Sequence, residues 1–408
     1  MKINTDPKII DEILERGVSA IYPTKEDLRK VLLSGRRLKI YIGADATGPE
    51  LHLGHSSNFL LIEKFRKLGH EVIVLFGDFT AMIGDPTGKE ATRVTLTSSQ
   101  VNENIKTWKK QLIPIVNFKK FSNNPARLVK NSKWLSKLSL KEVIDLSANF
   151  TVQQMIERDM FDKRIKESKP VYLNEFLYPL LQGYDSVALD VDVEIGGTDQ
   201  TFNMLAGRTL QKKFRNKEKF VITTTLLENP KTGKKLMSKS EGGYVSLRDE
   251  SGNMFGKIMA LPDEVVGQMF TDCTNLPLEE INKIKDKLEK GTNPKDIKII
   301  LAKEIITLYH GKEKAEKVAN DFEKTFSKKE IPDDILEVEV KGTDLLSEIL
   351  LKQNMISSKS DFARLVKENA ITLLEEDKKI TDIKELVKTG TYKIGKHRFV
   401  KMEIRDKR

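Results

Sequence analysis

Two short apolar runs with one helix-sized segment between them constrain the fold of this chain more than any other feature. Residues 39–45 (KIYIGAD) and 71–79 (EVIVLFGDF) are rich in apolar and β-branched side chains and have the length of buried strands. Between them, residues 58–68 repeat large apolar side chains at helical spacing, and Gly69 follows as a stop signal. A strand, a helix and a second strand in this order predict a βαβ unit and therefore a parallel sheet.

The remainder of the chain, which has 408 residues in all, changes character several times. Residues 100–170 are mainly polar with helical periodicity, and residues 191–200 indicate a strand, a glycine turn and a helix start. Lysine-rich helical segments follow, and a hydrophilic stretch after them indicates a linker. We therefore predict an α/β fold of three parts: a Rossmann-like parallel-sheet domain with a helical insertion (1–228), an α-helical domain that opens with a loop (229–328), and, after a linker (329–342), a small α+β domain (343–408).

The balance of charges and the near absence of cysteine narrow the class of protein. Lysine and arginine outnumber aspartate and glutamate by 70 to 60. This excess fits either a well-solvated surface or a polyanionic partner, and charge alone leaves both open. Cys273 is the only cysteine, so the chain has neither an internal disulfide nor a cysteine-built zinc site. No apolar run reaches the roughly 18 residues of a membrane span, and the N-terminus is not typical of a signal peptide. We expect a cytoplasmic protein with no membrane partner.

The stretch HLGH places His52 and His55 at the start of the predicted helix between the two strands. Metal binding, a purely structural role and phosphate binding are three interpretations of such a pair. The i, i+3 spacing without an intervening glutamate departs from the H-E-x-x-H zinc pattern, which disfavours a metal. At a helix start the backbone N–H groups attract anions, and two imidazoles one turn apart add donors. Gly54 between them leaves room for a base or a ribose to approach.

A second stretch, LMSKS at 236–240, has the composition of a loop that closes on a polyphosphate. It carries Lys239 and two hydroxyl groups and follows Lys234 and Lys235. Most stretches of this composition are ordinary basic surface loops. Neither HLGH nor LMSKS therefore decides the function by itself.

Together, in this order and about 185 residues apart, HLGH and LMSKS resemble the signature pair of the class I aminoacyl-tRNA synthetases. Nearly the whole chain is similar to the bacterial tyrosyl-tRNA synthetases. The segments that carry the resemblance are YIGADATGPELHLGH (41–55), GDFTAMIGDPTGK (77–89), NEFLYPLLQGYDSVAL (174–189), IGGTDQ (195–200) and KLMSKS (235–240). Leu236 stands where the family's loop begins with lysine, and Ala44 and Ala46 stand where many relatives have a bulkier residue and proline. The tail resembles a small RNA-binding module, called here the S-four type.

The resemblance implies a reaction in two steps. L-tyrosine is first joined to the α-phosphate of ATP, bound as its Mg²⁺ complex, with release of pyrophosphate. The tyrosyl-adenylate then transfers its tyrosyl group to the terminal ribose of tRNA(Tyr). The resemblance further implies a homodimer, anticodon recognition by the helical domain, RNA binding by the C-terminal domain and no protein-bound metal.

Three alternatives remain at this point. They are a tryptophanyl-type synthetase, a non-synthetase nucleotidyltransferase of the same fold, and an RNA-binding paralogue without catalysis. The nucleotidyltransferase would not need residues 255–408, and the paralogue should lack HLGH or Lys239, whereas this chain has both.

The resemblance also assigns roles to individual residues. Those implied in catalysis are His52, His55, Thr47, Lys239, and, on a loop that clamps pyrophosphate, Lys89 and Arg93. Those implied in binding L-tyrosine are Tyr41, Asp85, Tyr178, Gln182, Asp185 and Gln200. Those implied in binding ATP are Asp45, Gly54, Gly197, Asp199, Met237, Ser238 and Lys239.

Within the tyrosine set, Tyr41 and Asp185 are expected to hold the substrate hydroxyl. Asp85, Tyr178 and Gln182 are expected to hold its ammonium group, and the i, i+4 spacing of Tyr178 and Gln182 puts both on one helical face. Without the resemblance, Tyr41 would be interpreted as a core aromatic and Asp185 as a surface acid at a helix end.

Basic residues of the tail are the candidates for contact with tRNA phosphates. For any single one of them, a solvated lysine-rich face is the alternative interpretation. The candidates are Lys359, Arg364, Lys367, Lys393, Lys396 and Arg398.

Overall fold

A computed structural model describes residues 2–86, 96–156, 159–233, 235–237, 243–327, 335–395 and 398–405. Within it the chain divides into two compact units, residues 1–315 and residues 316–408. Among the helices of the described residues, none is long and apolar enough to cross a bilayer.

The described strands of the first unit are β1 (Val18–Tyr22), β2 (Lys39–Ala44), β3 (Glu71–Phe76), β4 (Arg127–Lys130), β5 (Val193–Gly197) and β6 (Phe220–Thr224). Its helices up to the sheet's last strand are α1 (Pro7–Glu15), α2 (Lys25–Leu33), α3 (Leu53–Lys67), α4 (Thr80–Ile83), α5 (Ser98–Leu112), α6 (Ser132–Leu135), α7 (Leu140–Ser147), α8 (Val152–Ile156), α9 (Asp159–Lys166), α10 (Leu173–Leu189) and α11 (Thr201–Arg215). The helices that follow are α12 (Ser251–Met259), α13 (Val266–Cys273), α14 (Leu278–Glu289), α15 (Pro294–His310) and α16 (Lys312–Ser327). Short 3₁₀ turns occupy Thr198–Gln200 and Asp263–Val265.

The sheet of the first unit confirms the predicted α/β class. Its strand order is β1-β6-β5-β2-β3-β4, and every neighbouring pair is parallel except β1 with β6. The predicted βαβ unit is β2–α3–β3, in which Lys39 lies opposite Glu71 and Ala44 opposite Phe76. The central strands β2, β3 and β5 are mostly buried, as expected for near-continuous apolar runs in a parallel sheet.

The strand order reverses at β2, which determines where a ligand can bind. From β2 the chain continues to β3 and β4 on one side, whereas β5 and β6 lie on the other side. In open parallel sheets of this kind, the connections diverge at such a switch point and leave a crevice at the carboxyl ends of the two strands. A ligand site is therefore expected at the carboxyl ends of β2 and β5.

A close contact between α10 and α11 positions one wall of this crevice. A Cβ on Gly183 of α10 would lie 3.0 Å from the Gly207 nitrogen of α11, so both helices need glycine there. Gln182 and Ser186 of α10 also hydrogen-bond to Glu194 of β5, at 3.4 Å and 3.3 Å. The helix is thereby held against both α11 and the sheet.

The first crossover helix begins earlier than its apolar repeat indicates. α3 starts at Leu53 rather than at residue 58, because His52 caps it with its side chain. The prediction that HLGH lies at the helix start is confirmed. The sequence around α15 also carries the usual signals of helix ends, and the structure uses them, with Asn293 as N-cap, Pro294 in the first turn and Gly311 after the last residue.

The second unit is a small α+β unit with its own core. Its described elements are β7 (Leu336–Val340), α17 (Leu346–Lys352), α18 (Lys359–Lys367), β8 (Ile371–Leu373), β9 (Lys378–Lys379), β10 (Gly390–Ile394) and β11 (Arg398–Ile404). Near the end of the chain, β10 and β11 pair in antiparallel orientation. Part of the predicted linker 329–342 differs, because residues 336–340 form β7 and pair in parallel with β11. Val338 and Val340 alternate with acids and pack on the core, a period-two pattern that defines a strand.

Candidate active site

The two histidines of HLGH cap the start of α3 through their Nδ1 atoms. His52 Nδ1 accepts a hydrogen bond from the Gly54 N–H at 3.1 Å, and His55 Nδ1 accepts one from the His52 N–H at 3.3 Å. The ring centroids are 3.8 Å apart. Because each Nδ1 is an acceptor, the proton of each neutral ring sits on Nε2. The capping role and a ligand-binding role are therefore compatible, since they use different nitrogens.

The protonation state of the two rings follows from their burial. Burial lowers the pKa of His52 to about 4, and burial together with the neighbouring His52 lowers the pKa of His55 to about 3. Both rings are therefore neutral at pH 7. They add directed N–H donors to the positive end of the α3 dipole without adding charge.

The chain beside the LMSKS loop lies directly against HLGH. The Leu53 N–H donates to the Val245 carbonyl at 3.1 Å, and the Leu247 N–H donates to the Leu51 carbonyl at 2.9 Å. These bonds join the segment after the loop to the start of α3, with His52 opposite Ser246. The two signature stretches, although far apart in the chain, are thus neighbours in the fold.

The first residues of the loop contact two of the segments predicted to bind nucleotide. Met237 Cγ lies 3.6 Å from where a Cβ on Gly54 would be, and Lys235 Nζ lies 3.6 Å from Asp199 Oδ2. A Cβ on Gly54 would also come within 3.0 Å of the His52 ring, so the capping ring itself requires glycine here. The room that Gly54 leaves for a nucleotide stays a prediction.

Several predicted residues lie outside the described part of the chain. Lys239 and Ser238 of the loop, Lys89 and Arg93 of the pyrophosphate clamp, and Lys396 of the tail are in this group. Their roles stay predictions. Thr47 is described, and its N–H donates to the Asp45 carbonyl at 2.8 Å, which turns the chain just after β2.

Asp185 is a buried carboxylate with two hydrogen-bond donors, so the interpretation as a surface acid is wrong. It is only 2% exposed. Trp134 Nε1 donates to its Oδ1 at 2.7 Å, and Asn131 Nδ2 donates to its Oδ2 at 3.2 Å. Burial raises the pKa of Asp185 well above 3.8, and the two donors oppose this shift. Sequence reasoning missed Trp134 as a partner of Asp185, and its indole N–H is the one signal that could have indicated a polar contact.

Tyr41 is fully buried in β2 and close to Asp185, but its hydroxyl is bonded elsewhere. The hydroxyl oxygen lies 2.9 Å from Ser186 Oγ on α10. Burial, followed by the charges of Glu194 and Asp185, raises the pKa of Tyr41 well above 10, so the phenol keeps its proton. The structure thus brings the predicted pair together and adds Ser186, which sequence reasoning missed.

A second polar group lies around Tyr178, next to this pair. The Tyr178 hydroxyl donates to Asp45 Oδ2 at 2.9 Å, and Thr80 Oγ1 donates to Asp45 Oδ1 at 2.7 Å. Burial, followed by the charges of Asp45 and Asp85, raises the pKa of Tyr178 well above 10. Gln182 Oε1 is buried without a hydrogen-bond partner. Such an acceptor, beside carboxylates, fits a cationic donor such as an ammonium group.

The segment IGGTDQ contributes further groups at the end of β5. Gln200 Nε2 donates to Asp85 Oδ2 at 2.7 Å, so these two predicted tyrosine-binding residues contact each other. A Cβ on Gly197 would lie 2.6 Å from Asp199 Oδ1, so the glycine leaves room for that carboxylate. Within the described ranges, no group of three or more histidine, cysteine, aspartate or glutamate side chains is arranged to hold a metal ion.

The basic residues predicted to contact RNA are held partly by neighbours within the second unit. Lys359 pairs with Glu348 at 3.0 Å, and Arg364 pairs with Asp361 at 2.7 Å and also with Glu368. Arg398 donates to the Met355 carbonyl. Lys393 Nζ lies 5.9 Å from the Phe399 ring centroid, and Lys367 is exposed.

A mostly parallel sheet with HLGH at its switch point, and with Met237 and Lys235 near Gly54 and Asp199, is the arrangement of a nucleotide-activating enzyme. Residues 33–327 match the family model of the class I tRNA synthetases (W and Y). The chain belongs to this family. The resemblance inferred from the sequence is therefore confirmed.

The relatives specify the family further. The tyrosine–tRNA ligase of Carboxydothermus hydrogenoformans is 43% identical over 405 residues, covering 96% of this chain and 97% of that protein. The tyrosine–tRNA ligase of Haemophilus ducreyi is 42% identical over 394 residues, covering 96% of this chain and 97% of that protein. A crystal structure of a C-terminally truncated mitochondrial tyrosyl-tRNA synthetase from Aspergillus nidulans matches with a TM-score of 0.66 at 26% identity, covering 78% of this chain and 94% of that one.

Proposed function

We propose that this chain is a tyrosine–tRNA ligase, which attaches L-tyrosine to tRNA(Tyr) through a tyrosyl-adenylate intermediate. The observation that carries the proposal is the buried carboxylate of Asp185, held by Trp134 and Asn131 close to Tyr41. A phenol both donates and accepts a hydrogen bond, so a carboxylate and a second phenol match it, whereas an indole N–H only donates. The pair therefore favours tyrosine over tryptophan.

The group around Tyr178 is proposed to hold the substrate ammonium. The unpartnered Oε1 of Gln182 is an acceptor, and the carboxylates of Asp45 and Asp85 supply negative charge nearby. A cation is stabilised by such a cluster when it is desolvated. The hydroxyl end and the ammonium end of the substrate are then bound from successive turns of one helix, α10.

ATP, taken as its magnesium complex, is a substrate whose phosphates are proposed to lie at the amino end of α3. The Nε2–H groups of His52 and His55 and the helix dipole would stabilise charge that develops as the tyrosine carboxylate displaces pyrophosphate from the α-phosphorus. Thr47, Lys239, Lys89 and Arg93 are proposed to add donors to the same phosphates, and Asp199 to accept from the ribose. In the second step, the terminal ribose hydroxyl of tRNA attacks the carbonyl carbon of the anhydride, which forms the ester and releases AMP. Both steps depend mainly on positioning and electrostatics.

Tyrosine-dependent exchange of pyrophosphate into ATP is the expected result when each amino acid is tested with the purified protein. The first step is reversible, so only an amino acid that forms an adenylate supports exchange. Tyrosine should do so strongly, and phenylalanine and tryptophan should support far less. Exchange driven by tryptophan, or none with tyrosine, would contradict the assignment.

tRNA(Tyr) is the proposed partner of the exposed basic residues of the second unit, with Lys367 and Lys393 as candidates among the described residues. Lysine side chains bind RNA phosphates regardless of the base sequence. They would therefore add affinity for tRNA, while other contacts determine which tRNA is bound. The substrates tRNA and ATP accord with a cytoplasmic location.

A homodimer is proposed on the basis of an apolar surface on the helical insertion. Leu140 and Ile144 of α7, Val152 of α8 and Leu173 of α10 are all more than half exposed, with Leu140 and Leu173 at 76% and 78%. Large apolar side chains left exposed on several elements of one chain segment are typical of an interface. Sedimentation equilibrium at micromolar concentration should give a dimer, and Leu173→Asp should shift it toward monomer. A wild-type monomer would contradict the proposal.

A further inference from the structure

A fully buried ion pair lies next to Tyr41 and has no part in the mechanism described so far. Lys219, just before β6, and Glu194 in β5 have side chains that are 0% and 2% exposed, and the Lys219 ammonium donates to Glu194 Oε2. Glu194 is the register partner of Tyr41 across the β5–β2 pair, so the two side chains lie on the same face of the sheet. The ion pair is therefore directly behind the tyrosine that is proposed to hold the substrate hydroxyl.

Stability alone does not explain why this chain has a buried ion pair here. Removing two charges from water costs several kcal/mol each, and a well-packed apolar pair is often at least as stable. Gly207 nonetheless leaves the space that the ion pair needs. A Cβ at this position would lie 2.6 Å from Lys219 Nζ and 2.9 Å from Ser186 Oγ, which is too close. Burial lowers the pKa of Lys219, and the adjacent Glu194 carboxylate opposes that change, so Glu194 favours the charged ammonium.

Ser186 joins this ion pair to Tyr41. Lys219 Nζ lies 2.9 Å from Ser186 Oγ, and Ser186 Oγ lies 2.9 Å from the Tyr41 hydroxyl oxygen. The distance from Ser186 Oγ to Glu194 Oε2 is longer, at 3.3 Å. An ammonium group can only donate, so it occupies a lone pair of the serine oxygen and leaves the single serine proton for another acceptor.

The distances favour one direction for this chain of hydrogen bonds. The serine proton has two candidate acceptors, Glu194 Oε2 at 3.3 Å and the Tyr41 oxygen at 2.9 Å, and the Tyr41 oxygen is the nearer. If Ser186 donates to Tyr41, the phenol proton of Tyr41 is turned toward the crevice. A substrate hydroxyl would then accept from Tyr41 and donate to Asp185, which as a carboxylate only accepts.

We propose that Lys219, charged because of Glu194, acts through Ser186 to fix Tyr41 as the hydrogen-bond donor to the hydroxyl of the substrate tyrosine. The inference rests on the proposed function, since it needs Tyr41 and Asp185 to hold that hydroxyl. Lys219 and Ser186 are positioning residues, because they touch Tyr41 and each other but not the substrate. Chains of aligned hydrogen bonds polarise one another, so the donor that recognises the substrate is prepared before the substrate binds.

Ser186→Ala tests the proposal, since it breaks the chain but keeps the ion pair. We expect kcat/KM for tyrosine in pyrophosphate exchange to fall about 10-fold to 30-fold, mainly through KM for tyrosine, which is the scale of one hydrogen bond in a polar network. The value for phenylalanine should not fall, because phenylalanine makes no hydroxyl contact. KM for ATP should be unchanged. Ser186→Cys, which keeps a weak donor of similar size, should recover part of the loss.

Thr223→Val is the matched control. It removes another buried hydroxyl, which donates to the Ala20 carbonyl at 3.2 Å outside the network, and it should leave both kcat/KM values unchanged. A double variant, Lys219→Met with Glu194→Gln, removes the donor without leaving an isolated charge and should show the same tyrosine-specific loss. Equal losses for tyrosine and phenylalanine, or no loss, would overturn the proposed chain. Failure of the wild-type protein to exchange with tyrosine would instead overturn the proposed function.

Discussion

Replacing Asp185 with alanine is expected to remove most of the preference for tyrosine over phenylalanine. Sites that hydrogen-bond a substrate hydroxyl reject the analogue without it by about 10⁴-fold to 10⁵-fold, a range measured in part on tyrosyl-tRNA synthetases themselves. The physical reason is that a buried acceptor is left unpaired when phenylalanine enters. Asp185 is 2% exposed, and Trp134 and Asn131 each donate to one of its oxygens. Both bonds remain when phenylalanine enters, but the lone pair proposed to accept from the substrate hydroxyl then has no donor. The measurement is the ratio of kcat/KM for the two amino acids in pyrophosphate exchange.

The ratio is a better measure than either rate alone, because the substitution also leaves Trp134 Nε1 and Asn131 Nδ2 without their carboxylate. That loss should lower stability by about 1–3 kcal/mol, in the same way for both substrates. Asp190→Asn is the matched control: Asp190 follows α10, is half exposed and pairs with Lys217, as a surface acid at a helix end should. The Asp190→Asn variant should prefer tyrosine over phenylalanine by the same factor as the wild type. An unchanged ratio in Asp185→Ala would remove Asp185 from the pocket.

His55→Asn should slow formation of the adenylate by about 10²-fold to 10³-fold, which is the usual effect of removing one donor from a developing charge. KM for tyrosine should change little, since the imidazole is proposed to contact phosphate rather than the amino acid. An asparagine side chain ends near the position of Nδ1, so it can still accept from the His52 N–H that His55 caps at 3.3 Å. The variant therefore removes the Nε2 donor and keeps the helix start. Single-turnover kinetics of adenylate formation is the measurement.

His55→Gln is the complementary variant, because a glutamine amide reaches the position of Nε2 and can donate there. It should recover a large part of the lost rate. Since the pKa is about 4 for His52 and about 3 for His55, neither ring should contribute a titration to the rate between about pH 6 and pH 8. A larger effect on tyrosine binding than on the rate in His55→Asn would contradict a phosphate role.

The elements that sequence patterns predicted well are those that depend on neighbours in the chain. The β2–α3–β3 unit follows from apolar periodicity, and the limits of α15 follow from Asn293, Pro294 and Gly311. Helix capping and strand alternation involve only a few neighbouring residues, so a short stretch of sequence is enough to predict them. β7 was missed although Leu336, Val338 and Val340 alternate with acids, because the strand has only five residues and follows a hydrophilic stretch that resembles a linker.

The sequence predicted only part of the candidate site. There is a physical reason why some of its residues were predicted and others were missed. The family resemblance named Tyr41 and Asp185, but not Trp134, Asn131 or Ser186, which contact them. Their hydrogen bonds join residues 51 to 145 positions apart. No short-range sequence pattern indicates such hydrogen-bond partners. Buried polar atoms must form hydrogen bonds with one another, and which atoms are buried together depends on the fold rather than on spacing in the sequence.

By itself, the sequence determined the class of fold and the place of HLGH, since local periodicity and a capping histidine suffice to start a helix after a buried strand. It also identified HLGH and LMSKS as a pair. The tertiary structure alone decided that the two stretches are neighbours, that Asp185 is buried with two donors, and that Lys219 reaches Ser186 past Gly207. The reason is that the packing of α10 against α11 and the sheet creates these contacts, and packing at long range is a property of the whole folded chain.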